Sequence, residues 1–284
     1  MDMMYTNSMS ETERYQISNF IESQFGIRMP TTKKILLTTR LSKRLKELDF
    51  ESYSTYFKYL TSEDGIFNEL PIFADLVSTH ETRFFREPQH FNYLLNKVLP
   101  DIFHTKYDCH GKTLKILSAP CSTGEEVYSL ACTIEEFKRV NSMPEIKYTI
   151  TGTDVSEKVI HKAIHGIYPE SAIETIPLEL KHRYFLRGKS SHEGFAKIIP
   201  EIAERTCFKV VNLMDCTYPF FEEFDIIFCR NMLIYFSKEN QELICMKLTG
   251  YLKNDGYFFI GHSETLMNFN LQLKNIAPTI YRKK

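Results

Sequence analysis

Four groups of polar residues stand directly after short apolar runs, and their types suit the holding of a small polar ligand. The first is Cys121-Ser122-Thr123-Gly124-Glu125-Glu126, which follows the run Lys115 to Ala119. Small residues and one glycine let backbone approach a ligand at a strand's carboxyl end, where open α/β sheets form their binding crevice. Neither GxGxxG nor GxxxxGK[ST] is present, and the adjacent glutamates disfavour a phosphate, whereas a nucleoside without phosphates stays open. Acids at that position also suit a helix start with no ligand at all. Asp154 ends the run Tyr148 to Thr153. A carboxylate there can accept two hydrogen bonds from a ribose diol, or it can cap the following helix. Asn212 and Asp215 follow Cys207 to Val211, and Arg230-Asn231 follow Phe224 to Cys229. Each pair alone reads equally as a turn or cap. If the four runs are strands of one sheet, all these groups share one edge.

The elements needed to position them are legible from Leu114 onward, where short β-rich runs alternate with helical segments at 122–140, 156–166 and 238–252. That alternation predicts an α/β fold with a mainly parallel, doubly wound sheet. From Glu11 to about Leu95 the apolar positions, such as Ile35, Leu36, Leu41, Leu45 and Leu48, favour helical spacing. The expected division is a tail over 1–12, a helical domain over 13–90 and an α/β domain over 91–284. Arg187-Gly188, Lys189-Ser190-Ser191 and His192-Glu193-Gly194 break the alternation and predict a small β insertion at about 181–207. The junction, Ser78 to Glu87, sets His80, Arg83 and Arg86 around Phe84-Phe85. It reads as a hinge with buried aromatics and crevice-facing polar groups, or as an ordinary helix start. The basic end, Arg282 to Lys284, reads as a solvated tail.

Composition narrows the function classes. With 284 residues, 43% hydrophobic and 25% charged, the chain has apolar content for a folded core, and a net charge of −1 gives no whole-chain attraction to nucleic acid or anionic membrane. Seven cysteines without a CxxC pair argue against a disulfide framework and against a zinc site. The N-terminus has no signal-peptide pattern and no apolar run approaches ~18 residues, so a cytoplasmic protein without direct membrane insertion is expected.

The run SAPCSTGEEVYSLA, together with GTDVS, VNLMD, FCRNMLIYF, GYFFIGHSETL and the junction THETRFFRE, closely resembles the CheR family of chemotaxis receptor glutamate O-methyltransferases. The likeness covers about residues 12–284. It implies a small all-helical N-terminal domain and a Rossmann-like methyltransferase domain with an inserted antiparallel β subdomain. It also implies S-adenosylmethionine as cofactor, S-adenosylhomocysteine as product and no metal. The family's cofactor contacts fall on His80, Thr82, Arg86, Glu125, Asp154, Asn212, Leu213, Arg230 and Asn231. His80 stands where the family usually carries asparagine, and Val127 where proline is frequent.

Methyl transfer to a carboxylate already ionised at neutral pH (glutamate pKa about 4.3) needs positioning rather than a general base. Arg86, Arg230 and Tyr235 are the expected orienting groups. The resemblance further implies methyl-accepting chemotaxis receptors as partners, met through a basic helix carrying Lys33, Arg40 and Arg44. A receptor C-terminal peptide on the β subdomain is a second implied contact. Nothing in the chain requires more than a monomer. Two other readings stay open: an inactive S-adenosylmethionine-binding sensor or scaffold, and a carboxyl methyltransferase with another substrate.

Overall fold

The computed structural model describes residues 9–30, 34–103 and 113–284. Five helices come first: α1 (Glu11–Phe25), α2 (Lys34–Glu47), α3 (Tyr53–Leu60), α4 (Glu63–Asn68) and α5 (Leu70–Val77). Ser10 and Glu13 form a reciprocal capping box that starts α1, and Met9 is buried, so residues 9–12 belong to the folded helical unit rather than to a tail. On α2 the buried stripe is Leu37, Leu41 and Leu45, spaced i, i+4, i+8, while Ile35 is 79% exposed. These leucines pack with Ile17, Ile21, Tyr56 and Phe73 into a core of their own.

The junction leads into α6 (Pro88–Tyr93), a π-type turn over Leu94–Val98, and α7 (Leu99–Asp101). Phe84, His90 and Phe91 are buried on the α/β side, so the helical domain ends at α5, short of residue 90. Then follow β1 (Thr113–Ser118), α8 (Glu125–Val140), β2 (Lys147–Asp154), α9 (Glu157–His165), β3 (Ile167–Pro169), α10 (Leu178–Tyr184), β4 (Phe185–Arg187), β5 (Phe195–Ile198) and α11 (Pro200–Ala203). The chain closes with β6 (Thr206–Val210), β7 (Phe224–Cys229), α12 (Lys238–Gly250), β8 (Leu252–Ile260), β9 (Leu273–Ala277) and β10 (Ile280–Lys283).

Seven strands form one sheet in the order β6-β2-β1-β7-β8-β10-β9, the first five parallel and β10 antiparallel to both of its neighbours. All six residues of β7 are buried, as a central parallel strand covered on both faces requires. Ile116 and Leu117 alternate between the two core clusters that flank the sheet. The chain winds outward from β1 to β6, then crosses back to β7. That reversal opens a crevice between the carboxyl ends of β1 and β7.

Three corrections to the sequence reading emerge. The small antiparallel sheet, order β3-β5-β4, also recruits β3 beyond α9, so its strands span 167–198. The basic end is no free tail: Arg282 and Lys283 lie in β10 between β8 and β9, and the Lys283 ammonium donates to the Thr249 carbonyl at 2.8 Å. The third concerns α2. Arg40 donates to the carbonyls of Leu76 and Ser78, both at 2.7 Å, and Arg44 grips the buried Glu69 carboxylate at 2.6 and 3.0 Å. Both guanidiniums thus tie α2 to the end regions of α5, and Lys33 lies outside the described residues. The six cysteines among the described residues are free.

Candidate functional site

Loops after β1, β2, β6 and β7 meet the junction at the crevice, as strand ends of a doubly wound sheet must. Asp154 sits at its middle. Its Oδ2 accepts from the Ser122 amide at 3.0 Å and its Oδ1 from the Ser156 amide at 3.1 Å. Ser156, whose hydroxyl accepts from the Val159 amide, is the cap of α9, so Asp154 is left for another purpose. Burial pushes the Asp154 carboxyl up, against the opposing pull of the Ser156 amide, His80 and the Ser122 amide.

On one side of Asp154 lies a largely apolar hollow, walled by Phe25, Ile27, Val155, Val211, Leu213 and Phe236. His80, Asn212 and Tyr235 also line it. Two of its walls come from the helical domain. The turn after α1 is pinned there by a hydrogen bond from Asn212 Nδ2 to the Gln24 carbonyl at 2.7 Å and from the Arg28 amide to the Tyr235 carbonyl at 2.8 Å. Gly26 (φ 70°) makes the approach possible, since a Cβ would fall 2.5 Å from the Met214 sulfur. On the other side lies a polar hollow, lined by Thr82, Arg86, Ser122, Glu126, Arg230 and Asn231.

Comparison with known proteins now fits this geometry. A family profile described as "CheR methyltransferase, SAM binding domain" matches residues 80–282, and "CheR methyltransferase, all-alpha domain" matches 13–76. The chain belongs to the CheR methyltransferase family. It is 35% identical to a chemotaxis protein methyltransferase of Borreliella burgdorferi, covering 97% of this chain and 95% of that one. It is 32% identical to that of Salmonella typhimurium and 30% identical to that of Escherichia coli K12, each over 96% of this chain and 91% of the relative. The CheR cofactor is S-adenosylmethionine.

The crevice has the donors and acceptors such a group needs. Ser78 Oγ and Thr153 Oγ1 are buried beside the apolar hollow with no hydrogen-bond partner among the described residues, polar atoms left for a ligand to satisfy. Apolar walls suit a purine, the polar hollow suits an amino-acid end, and Asp154 borders both.

Not every CheR position expected from the sequence faces this space. Glu125 and Glu126 are successive helix residues, turned about 100° apart, so only one can point into the crevice. It is Glu126, whose Oε1 accepts from Ser118 Oγ at 2.8 Å and whose Oε2 accepts from Arg230 Nη1 at 2.7 Å. Glu125 lines neither hollow; burial pushes its carboxyl up, and Thr123 Oγ1 donates to it at 2.6 Å. Asp215 is absent from the lining too and sits in the turn closed by its own amide to the Asn212 carbonyl. His80 lies 3.1 Å from Asp75 Oδ1, off the line of a hydrogen bond, and Arg86 donates to the Glu81 carbonyl at 2.7 Å. Tyr235 lines the apolar hollow, on the far side of Asp154 from Arg86.

Two carboxylates that sequence reasoning passed over hold the polar hollow together. Glu87, in the left-handed region at φ 58°, accepts from Arg230 Nη2 at 2.8 Å, Asn231 Nδ2 at 2.9 Å and the His262 amide at 3.2 Å. Burial opposes its ionisation, yet the Asn231 and Arg230 contacts prevail and hold its pKa down to about 2. Glu264 accepts from the amides of Gly261, Asn231 and Leu233 at 2.6 to 3.0 Å, fixing the loop after β7. Arg230 itself is 1% exposed in its side chain, between two carboxylates and 5.7 Å from the Phe91 ring centre. His90 and His262 bring nitrogens near Glu87, but the Arg230 cation on the same oxygen opposes a metal ion there. The one sequence signal for both acids was their place within motifs, FFRE and GHSE, that carried the family likeness.

Proposed function

We propose that this protein transfers the methyl group of S-adenosylmethionine to glutamate side chains of chemotaxis receptors, giving glutamate methyl esters and S-adenosylhomocysteine. The observation that carries this reading is the divided crevice: an apolar hollow and a polar hollow meeting at Asp154, in a chain of the CheR family. Bound there, the cofactor supplies an electrophilic methyl on a sulfonium. The chain's residues bind and orient. Asp154 takes the ribose, Leu213 and Asn212 border the purine, Thr82 and Arg86 border the amino-acid end, and Glu126 is the acidic contact in place of Glu125. Arg230 and Asn231 act through Glu87 and Glu126 by holding the polar wall rigid.

No group must remove a proton, because the acceptor carboxylate is ionised at neutral pH, with a glutamate pKa of about 4.3. Alignment and exclusion of water then supply the acceleration. Arg86 has no carboxylate partner among the described residues and is the orienting cation that lines the polar hollow. A grip that is too strong would favour the bound carboxylate over the transition state, so its contribution is to orientation. Receptors engage α2, and a receptor C-terminal peptide adds to the small sheet at β4, an edge strand in the order β3-β5-β4. No described helix is long and apolar enough to cross a membrane.

Incubation with methyl-labelled S-adenosylmethionine and receptor-bearing membranes tests this. Label released from receptor by mild base supports a glutamate ester. Calorimetric binding of S-adenosylhomocysteine without any receptor labelling would instead make the protein a cofactor-binding sensor.

A further inference from the structure

We infer that Glu264, in the loop after β8, is a positioning residue for the adenosine end of the cofactor, acting through the turn Leu233–Tyr235 on the wall that the helical domain lends to the apolar hollow. The inference rests on assigning that hollow to the adenosine end, and it concerns a side chain that lines neither hollow. Asn231 at φ 57° and Met232 at φ −123° aim successive amides at one point, an anion-holding arrangement of backbone. Glu264 fills it. Its Oε1 accepts from the Leu233 amide at 2.6 Å, and its Oε2 from the amides of Asn231 at 3.0 Å and Gly261 at 2.6 Å. A Cβ on Gly261 would lie 2.6 Å from Asn231 Nδ2 and 2.9 Å from Glu264 Oε2, so the two loops meet at a spacing that suits glycine.

Glu264 is buried and has no cation partner among the described residues, so backbone amides hold its charge. Burial pushes its carboxyl up, against the amides of Gly261, Asn231, Leu233 and Met232. Gln241 of α12 grips the same turn from its carbonyl side: its Nε2 donates to Leu233 at 2.8 Å and to Phe236 at 3.1 Å. What the turn then holds is a wall of the hollow. The Tyr235 carbonyl accepts from the Arg28 amide at 2.8 Å, and Phe236 pairs with Ile27 in an antiparallel bridge. Ile27, Tyr235 and Phe236 all line the apolar hollow. A glutamine at 264 breaks this linkage by chemistry alone. Both carboxylate oxygens accept, so the glutamine NH2 must face a backbone N–H whichever way the side-chain amide is turned. Turned to keep the two bonds made at Oε2, it loses the Leu233 amide and frees the turn.

The test compares full-length Glu264→Gln with the wild type by calorimetry, using S-adenosylhomocysteine and methylthioadenosine, which keeps the adenosine end and lacks the amino-acid end. A residue that braced only the polar wall would affect the first ligand alone. Glu264→Gln should raise the Kd of both by about threefold to tenfold. In the ligand-free protein, hydrogen exchange should quicken at the amides of Leu233 and Arg28 while the amides of β7 keep their wild-type protection. Gln241→Ala removes the second grip on the turn and should show the same pattern more weakly; it decides the matter if Glu264→Gln does not fold. A wild-type Kd for methylthioadenosine in the folded variant overturns the inference, and so does exchange that quickens equally throughout β7, which would make Glu264 a general support of the fold. A wild-type protein that binds neither ligand would instead overturn the adenosine assignment of the hollow, on which the inference rests.

Discussion

Asp154 shows how one residue joins the two halves of the crevice. Its carboxylate is held by two backbone amides and still faces both hollows. Replacing it with alanine removes hydrogen bonds from a charged acceptor, so S-adenosylhomocysteine affinity should fall by about 10- to 100-fold in calorimetry. An unchanged Kd would sink the ribose role. The paired glutamates offer a sharper contrast: Glu126→Gln should weaken cofactor binding, while Glu125→Gln should leave it near wild type, because only Glu126 lines the crevice. The reverse ranking would return the contact to Glu125. His90 carries a pH prediction. Burial, then the nearby Arg230 cation, lower its pKa from 6.5 to about 3. In the unfolded chain it takes up a proton near pH 6.5, so its contribution to stability is complete above that value and falls as pH drops toward 3. Between pH 7 and 5 the wild type should lose more melting temperature than His90→Gln, by up to about 1.4 kcal/mol of stability per pH unit below 6.5. Parallel curves would show that folded His90 binds its proton as readily as the unfolded chain does.

At the scale of elements, the turn after α1 is the piece that joins a separate domain to the cofactor space. Phe25 and Ile27 wall the apolar hollow, and Gly26 lets them reach it by adopting φ 70° against Met214 and Phe236. Gly26→Ala forces a Cβ into that contact and strains the backbone. It should cost about 1 to 3 kcal/mol of stability and weaken S-adenosylhomocysteine binding in the same protein. A lower melting temperature with unaltered affinity would mean that the turn supports the fold alone. The parallel strands and their following helices were legible in the sequence because apolar runs and helical spacing are local signals. The closing hairpin of β9 and β10 was not, since its residues are half-exposed and its pairing partner, β8, lies beyond a long loop. Likewise β3 is three residues long and gains its identity only by pairing with β5, about thirty residues later.

For the whole molecule, the crevice is built from both domains and the junction, so ligand binding and global stability are linked. S-Adenosylhomocysteine at a concentration 100 times its Kd should add about 2.7 kcal/mol and raise the melting temperature by several degrees. ATP or NAD should add nothing, because the loop after β1 has no phosphate-wrapping pattern. Stabilisation by ATP equal to that by S-adenosylhomocysteine would contradict the nucleoside reading.

The sequence by itself determined the family, the doubly wound sheet and the strand ends on which Asp154, Asn212, Arg230 and Asn231 stand, because motif identity and strand order are properties of the linear chain. Which of two adjacent glutamates faces the ligand was decided by the rotation of α8. Which arginines are free was decided by what the end of α5 and Glu69 offer Arg40 and Arg44. That Glu87 and Glu264 brace the polar wall was decided by bringing together residues up to 175 positions apart. Each of these depends on side-chain direction and long-range pairing, quantities fixed only when the elements pack.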